Sequence, residues 1–209
     1  MNKKKIVILG AGFGGIKTAS LIYKKLKKLW LLEKYELVLV DRHDYHTYVP
    51  ILYEIATTSK NSANYLKLKN LATFPLKEIF ENKQVTLIKK SVKNVDLING
   101  DVHFENDLPA GRLKFDYLVL ALGAETNYFG IPGLKENSLS LKSFFDAIQI
   151  RNEIWKKAEE GKKNIKIVIG GGGSTGVELA GEIKSWLCEL EEEFRHCSAS
   201  VQIIQGMDT

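Results

Sequence analysis

Thiols are nearly missing from this chain: its 209 residues include two cysteines, Cys188 and Cys197. Their spacing forms neither a redox Cys-x-x-Cys pair nor a zinc ligand set. Both read as helix-side or buried thiols of a reducing cytosol. No apolar run approaches the roughly 20 residues that cross a bilayer. The first such run, Ile6 to Leu9, is broken by glycine before it reaches the length of a secretory signal's core. Zinc-finger spacing and RNA-binding aromatic patterns are absent too, so nucleic acid is not an expected partner despite a net charge of +5. The lysines at Lys3–Lys5, Lys24–Lys25 and Lys27–Lys28 read as a solvated face, with an anionic membrane surface as the alternative. Low-complexity linkers are lacking as well. What remains, 44% apolar and 26% charged, is the composition of a folded globular protein, long enough for one large domain or two small ones.

The informative residues are glycines. Lys5 to Leu9 reads as a short strand, and "GAGFGG" follows it directly, placing Gly10, Gly12 and Gly15 in a GxGxxG pattern. Gly10 allows a tight turn, Gly12 lets backbone approach a pyrophosphate, and the amides at Phe13-Gly14 open a helix whose dipole favours negative charge. That helix is predicted from about Ile16 past Leu29, with Ala19 small enough for close packing on the strand. A second strand, Leu37 to Val40, ends at Asp41, the carboxylate such a unit needs for a ribose diol. Asp41 lies further from the glycines than the usual spacing of about 20 residues. The added length near Leu26 to Lys34 reads as extra helical turns.

The pattern recurs 161 positions later. Lys163 to Ile169 reads as a strand, "GGGGSTG" sets Gly171, Gly173 and Gly176 in a second GxGxxG, and Val177, Ala180, Ile183, Leu187, Leu190 and Phe194 recur at helical spacing. Ser200 to Gln205 is then a second strand, with Val201, Ile203 and Ile204 expected to be buried. Between the fingerprints lie the β-rich runs Val85–Ser91, Val92–Leu97 and Asp101–Glu105, with a hairpin turn at Asn99-Gly100. The apolar strand Tyr117 to Leu122 ends at Gly123. Ser143 and Asp146 form a capping-box start for a helix that runs to Glu160, before Gly161. These readings give an α/β protein of Rossmann-type units. Residues 1–135 form the first domain, with an insert at about 85–113; 136–161 form a connecting helix region; 162–209 begin a second, incomplete unit.

Two fingerprints, a β-rich insert and a strand ending in "ALGA" resemble the two-dinucleotide-binding-domain flavoproteins of the pyridine nucleotide-disulfide oxidoreductase superfamily. Within it, "DRHDYHTYVPILYEIAT", "ALGAETNYFGIPG" and "GGGGSTGVELAGE" are similar to the type II NADH:quinone oxidoreductases, the single-subunit NADH dehydrogenases. The resemblance implies FAD in the first unit, NADH or NADPH in the second, and a quinone as electron acceptor. Carried over by position, it implies that Gly10, Ala11, Gly12, Phe13, Gly14 and Gly15 hold the FAD pyrophosphate. Asp41 and Arg42 would bracket the adenosine ribose, Val92 would offer backbone to the adenine, and Gly123 would border the flavin site. Gly171, Gly173, Gly176 and Gln205 would serve NAD(P)H. Glu178 matches a carboxylate beside the nicotinamide, with a helix-surface salt bridge as its other reading. Tyr45 and His46 stand equally as flavin neighbours or as satisfied core residues.

Departures narrow the reading. No cysteine pair follows Asp41, unlike the disulfide reductases, and residues 91–161 lack the cysteines of sulfide:quinone reductases. Gln205 stands where a glutamate would bind the NADH ribose, which leaves the nicotinamide preference open. The family's later segments, including its quinone region and membrane-binding helices, are not in the chain. An amino-terminal fragment is therefore expected, whose complete form would touch the inner face of the cell membrane only through those later segments. A homodimer is compatible with this. A ferredoxin reductase-like enzyme and a non-catalytic dinucleotide-binding remnant are the alternatives.

Overall fold

The computed structural model describes residues 3–105, 111–161, 165–194 and 199–206. In chain order, β1 (Lys4–Leu9), α1 (Phe13–Lys28), β2 (Tyr35–Asp41) and β3 (Tyr45–Thr47) precede a 3-10 turn at Val49–Ile51 and the helices α2 (Leu52–Thr57) and α3 (Tyr65–Ala72). Next come β4 (Thr73–Pro75), α4 (Leu76–Ile79), β5 (Thr86–Lys89), β6 (Val92–Asp96), β7 (Asp101–Phe104), β8 (Arg112–Lys114) and β9 (Tyr117–Leu120). The chain continues through α5 (Leu134–Asn137), α6 (Phe144–Glu159), β10 (Ile165–Gly170), α7 (Ser174–Phe194) and β11 (Ala199–Ile204). Two compact units result: Met1–His46 with Phe74–Ala124, and Thr47–Thr73 with Glu125–Thr209.

The first unit is built on a four-stranded sheet in the order β5-β2-β1-β9, parallel throughout. Its central strands are apolar from Ile6 to Leu9 and from Leu37 to Val40, where both faces are covered. Ile8, Leu37 and Leu39 face one side, where they pack with Ala19 and Tyr23 of α1 and with Leu76 and Phe80. Val7, Leu9, Val38 and Val40 face the other, against Val102 and Phe104 of the antiparallel sheet β6-β7-β8. The antiparallel strands run from Val92 to Lys114, while β5, expected to lie with them, joins the parallel sheet. Leu87 packs on one of its faces and Ile88 on the other, as an inner strand requires.

Helix α1 ends sooner than expected. The residues after Lys28 add no turns; they reverse the chain. Trp30 N–H donates to the Lys27 carbonyl at 3.2 Å and Leu31 N–H to the Leu26 carbonyl at 2.9 Å. With Trp30 at φ 57°, this is a Schellman closure with tryptophan at the left-handed position. The long spacing between the glycines and Asp41 is thus a loop, residues 29–34.

In the second unit β10 and β11 pair in parallel, and α7 packs Leu179, Ile183, Trp186, Leu187 and Leu190 into the core. The capping box forms as read: Ser143 Oγ accepts from Asp146 N–H, and the Asp146 carboxylate accepts from Ser143 N–H. The helix it starts, α6, was expected as a connector. It lies inside this unit's core through Phe144, Ile150, Ile154 and Trp155. Arg151 on α6 is buried and donates to the carbonyls of Thr58, Ser59 and Ala63. Burial lowers its pKa. The expected burial of β11 does not hold: Ile203 and Ile204 are exposed. Among the described residues β10 is its only strand neighbour, so one edge stays uncovered. Cys188 is an exposed free thiol on α7, and Cys197 lies outside the described residues. No described helix is long and apolar enough to cross a membrane.

Two equivalent glycine turns as candidate dinucleotide sites

Strand β1 has β2 on one side and β9 on the other, so the chain reverses its direction of sheet growth at β1. Open α/β sheets bind ligands at such a point, beyond the carboxyl ends of the strands. Gly10 stands there with φ 102°, and its N–H donates to the Val40 carbonyl at 2.8 Å. A Cβ on Gly10 would come within 2.2 Å of the Ala121 carbonyl oxygen, and one on Gly15 within 1.8 Å of the Gly10 carbonyl oxygen. Both glycines are therefore demanded by the protein's own backbone.

Gly12 and Gly14 differ. A Cβ at either would meet nothing within 4 Å. Helix α1 begins there with Gly12 as N-cap, no side-chain cap and no acidic residue in its first turn. Open space at an uncapped helix start suits a ligand phosphate. Gly12 and Gly14 leave this helix start open, while Gly10 and Gly15 shape the turn.

The second turn repeats the first. Gly171 has φ 109° and donates to the Ile204 carbonyl at 2.8 Å. A Cβ on Gly176 would fall 2.0 Å from the Gly171 carbonyl oxygen, while Gly173 is open. Ile16 N–H donates to Gly12 in one turn and Val177 N–H to Gly173 in the other, each at 3.0 Å. The side chain ending the second strand also has one role in both. Asp41 Oδ2 accepts from Ala11 N–H at 2.7 Å, and Gln205 Oε1 accepts from Gly172 N–H.

That shared role changes the reading of Asp41, whose two oxygens were expected to face a ribose. Oδ2 already accepts from Ala11 and Oδ1 from His43 N–H at 2.8 Å. A carboxylate has about four acceptor sites, so each oxygen keeps one for a ligand hydroxyl. His46 is buried, and its Nδ1 donates to the Ala11 carbonyl at 3.0 Å. Its ring meets Phe13 edge-on at 4.8 Å. His43 stacks on Tyr45 at 4.9 Å, and burial lowers its pKa against the opposing pull of the Asp41 carboxylate.

The remaining expected residues scatter more. Arg42 is exposed next to Asp41. Val92 opens β6, three residues beyond the Lys89 that pairs with Asp41. Gly123, at φ 79°, lies past the end of β9 with open space at its Cβ position. Glu178 is exposed on α7 and, among the described residues, makes no ion pair. Burial, then the carboxylates of Glu54 and Glu178, push the Tyr53 phenol up. Ala121, whose carbonyl limits Gly10, was not foreseen. Its small side chain just before the "LG" step is the only hint the sequence offers.

Strand order and paired turns define an α/β protein of the dinucleotide-binding class. The sequence profile described as pyridine nucleotide-disulphide oxidoreductase matches residues 4–209. The chain belongs to that family. It is 29% identical to the type II NADH:quinone oxidoreductase of Staphylococcus saprophyticus over 209 residues, covering 97% of this chain and 48% of the relative. The enzyme of the same description from Staphylococcus aureus is 28% identical over 196 residues, covering 90% and 45%. Among solved structures, NDH2 from Plasmodium falciparum in complex with NADH superposes with a TM-score of 0.73 at 27% identity, covering 96% of this chain and 42% of that one. The sulfide:quinone oxidoreductase of Aquifex aeolicus, at 17% identity and a TM-score of 0.67, shares the fold. The chain spans about half the length of the curated relatives it matches.

Proposed function

We propose that this chain supplies the flavin and nicotinamide turns of an NADH:quinone oxidoreductase, with FAD at the Gly10 turn and NADH or NADPH at the Gly171 turn. The observation that carries this is the pair of matching turns, each open where a pyrophosphate would lie and each closed by a polar side chain from the second strand. Bound FAD would supply hydride acceptance and stepwise electron release to a quinone. The chain's own residues do the positioning. The amides after Gly12 meet the pyrophosphate, Asp41 holds the turn while offering acceptors to the ribose, and His46 fixes the Ala11 peptide from beneath. Glu178 stands on α7 as the candidate carboxylate beside the nicotinamide. On this reading the acceptor is a membrane quinone reached from the cytoplasmic face, and the enzyme is peripheral and compatible with a homodimer. The test is purification of the chain with added FAD and visible flavin absorbance after gel filtration. A chain that neither retains nor rebinds FAD would end the assignment.

The nicotinamide preference follows from Gln205. Its Oε1 is taken by Gly172 N–H, and its Nε2 donates to the Gly206 carbonyl at 3.0 Å. A glutamate would keep the first contact and present a charged oxygen to the ribose diol. Charge-assisted bonds exceed neutral ones by about 1 kcal/mol, worth roughly five- to tenfold in affinity. Gln205→Glu should shift the ratio of NADH to NADPH dissociation constants by that factor toward NADH. Titration of both nucleotides checks it, and an unchanged ratio would place discrimination at other residues.

A further inference from the structure

We propose that the end of α1 and the turn after it form a contact site for an anionic lipid surface, so that membrane contact is not confined to the later segments the resemblance implies. The turn at residues 29–34 displays its largest side chain instead of burying it: Trp30 is 90% exposed. It also occupies the left-handed position of the Schellman closure, where glycine carries no penalty and a bulky side chain does. Folding gains nothing visible from tryptophan here. Leu26, which is buried, and Leu31 and Leu32, which are partly buried, already anchor the turn. A strained residue kept at full exposure points to a contact outside the fold.

The surroundings state the chemistry of that contact. Leu29 is 52% exposed and Leu21 53%. Between residues 17 and 34 there are six lysines and one acid, Glu33. Lys24, Lys25, Lys27, Lys28 and Lys34 are all exposed. Lysines in the last helical turn also complement the helix dipole, which accounts for Lys25, Lys27 and Lys28 but not for the tryptophan. An exposed tryptophan next to an exposed leucine, on a segment rich in exposed lysines, suits the headgroup layer of a bilayer rich in acidic lipid. Nucleic acid would use the lysines and the indole but has no use for exposed leucines. The patch is also remote from the glycine turn. Helix α1 has 16 residues and so carries it about 24 Å away, to the edge where Lys4 N–H donates to the Lys34 carbonyl.

The test uses the full chain with phosphatidylcholine vesicles, alone or with about one-third phosphatidylserine, a fraction that sets the negative surface potential. Trp155 and Trp186 are 6% and 2% exposed, so quenching by brominated acyl chains reports on Trp30. We expect binding to acidic vesicles that falls with salt, with a blue shift and quenching of the exposed tryptophan. Trp30→Gly should lose about tenfold or more in vesicle affinity, while its melting temperature stays level or rises, because glycine adopts the left-handed position freely. Replacing Lys24, Lys25, Lys27 and Lys28 by glutamine should weaken acidic-vesicle binding at least as much. Vesicle affinity equal in wild type and Trp30→Gly would overturn the proposal, as would failure to bind or binding without quenching. So would preferential binding of single-stranded nucleic acid, or a dimer of this chain that Trp30→Gly dissolves.

Discussion

Valine at Gly12 will leave the first unit folded and abolish flavin retention, whereas valine at Gly15 will destabilise the unit itself. Both are glycines of one GxGxxG, and the structure separates them. Gly12 has ordinary negative φ, −73°, and no protein atom within 4 Å of a Cβ position, so the chain accommodates valine. Only a ligand would fill that space. At Gly15 the Cβ falls 1.8 Å from a backbone oxygen, which no rotamer relieves. Helix and strand must separate, costing at least about 3 kcal/mol, the upper range for overpacking. Far-UV circular dichroism, thermal melts and flavin stoichiometry after gel filtration measure both. Wild-type flavin content in Gly12→Val would remove FAD from this turn; a wild-type melt for Gly15→Val would refute the packing argument.

The second large effect belongs to Arg151. Its guanidinium stands in for a hydrogen-bonding partner to three carbonyls just beyond the end of α2, where the helix's negative pole also favours a cation. No carboxylate pairs with it among the described residues. Arg151→Met keeps much of the stem but leaves those carbonyls unmatched. The Ala63 bond is the buried one, and Thr58 and Ser59 can recover some water. At about 1–3 kcal/mol for a deprived buried acceptor, and less for the other two, the loss should be about 3 kcal/mol. Trp155 and Trp186, stacked at 6.4 Å within the same core, report it by fluorescence during denaturant unfolding. A midpoint unchanged from wild type would show that the clamp is dispensable.

Much of this was legible in the residues. Glycine turns, apolar strands and the Ser143 capping box are local signals, and each appeared where its spacing placed it. Misreadings arose where a distant neighbour decides the outcome. Leu26 to Lys34 is as leucine- and lysine-rich as any helix, and only the backbone closure onto Leu26 and Lys27 shows where α1 stops. Ile203 and Ile204 are apolar enough for a core, but burial depends on strands beside them and not on their own composition. The Ala121 carbonyl that constrains Gly10 lies 111 positions away in sequence, beyond the reach of any local pattern. Asp41 was expected to face a ribose, while its bond to the turn was not foreseen, since a carboxylate's partners depend on geometry.

One short stretch holds both faces of a single peptide neighbourhood: Asp41 takes the Ala11 amide and His46 donates to the Ala11 carbonyl. The four residues between them set a fixed span, since either contact alone leaves the other's reach determined. Inserting or deleting one residue there forces a choice between the two bonds. The loop at residues 29–34 bonds to the end of α1 and the start of β1 and not to the glycine turn, so a change in its length leaves both Ala11 bonds in place. Alignments of related chains should therefore show gaps gathering between α1 and β2 and none between Asp41 and His46. A search pattern built on that contrast, with a rigid D-x4-H and an elastic distance back to the glycines, would recover relatives that a fixed spacing of about 20 residues discards.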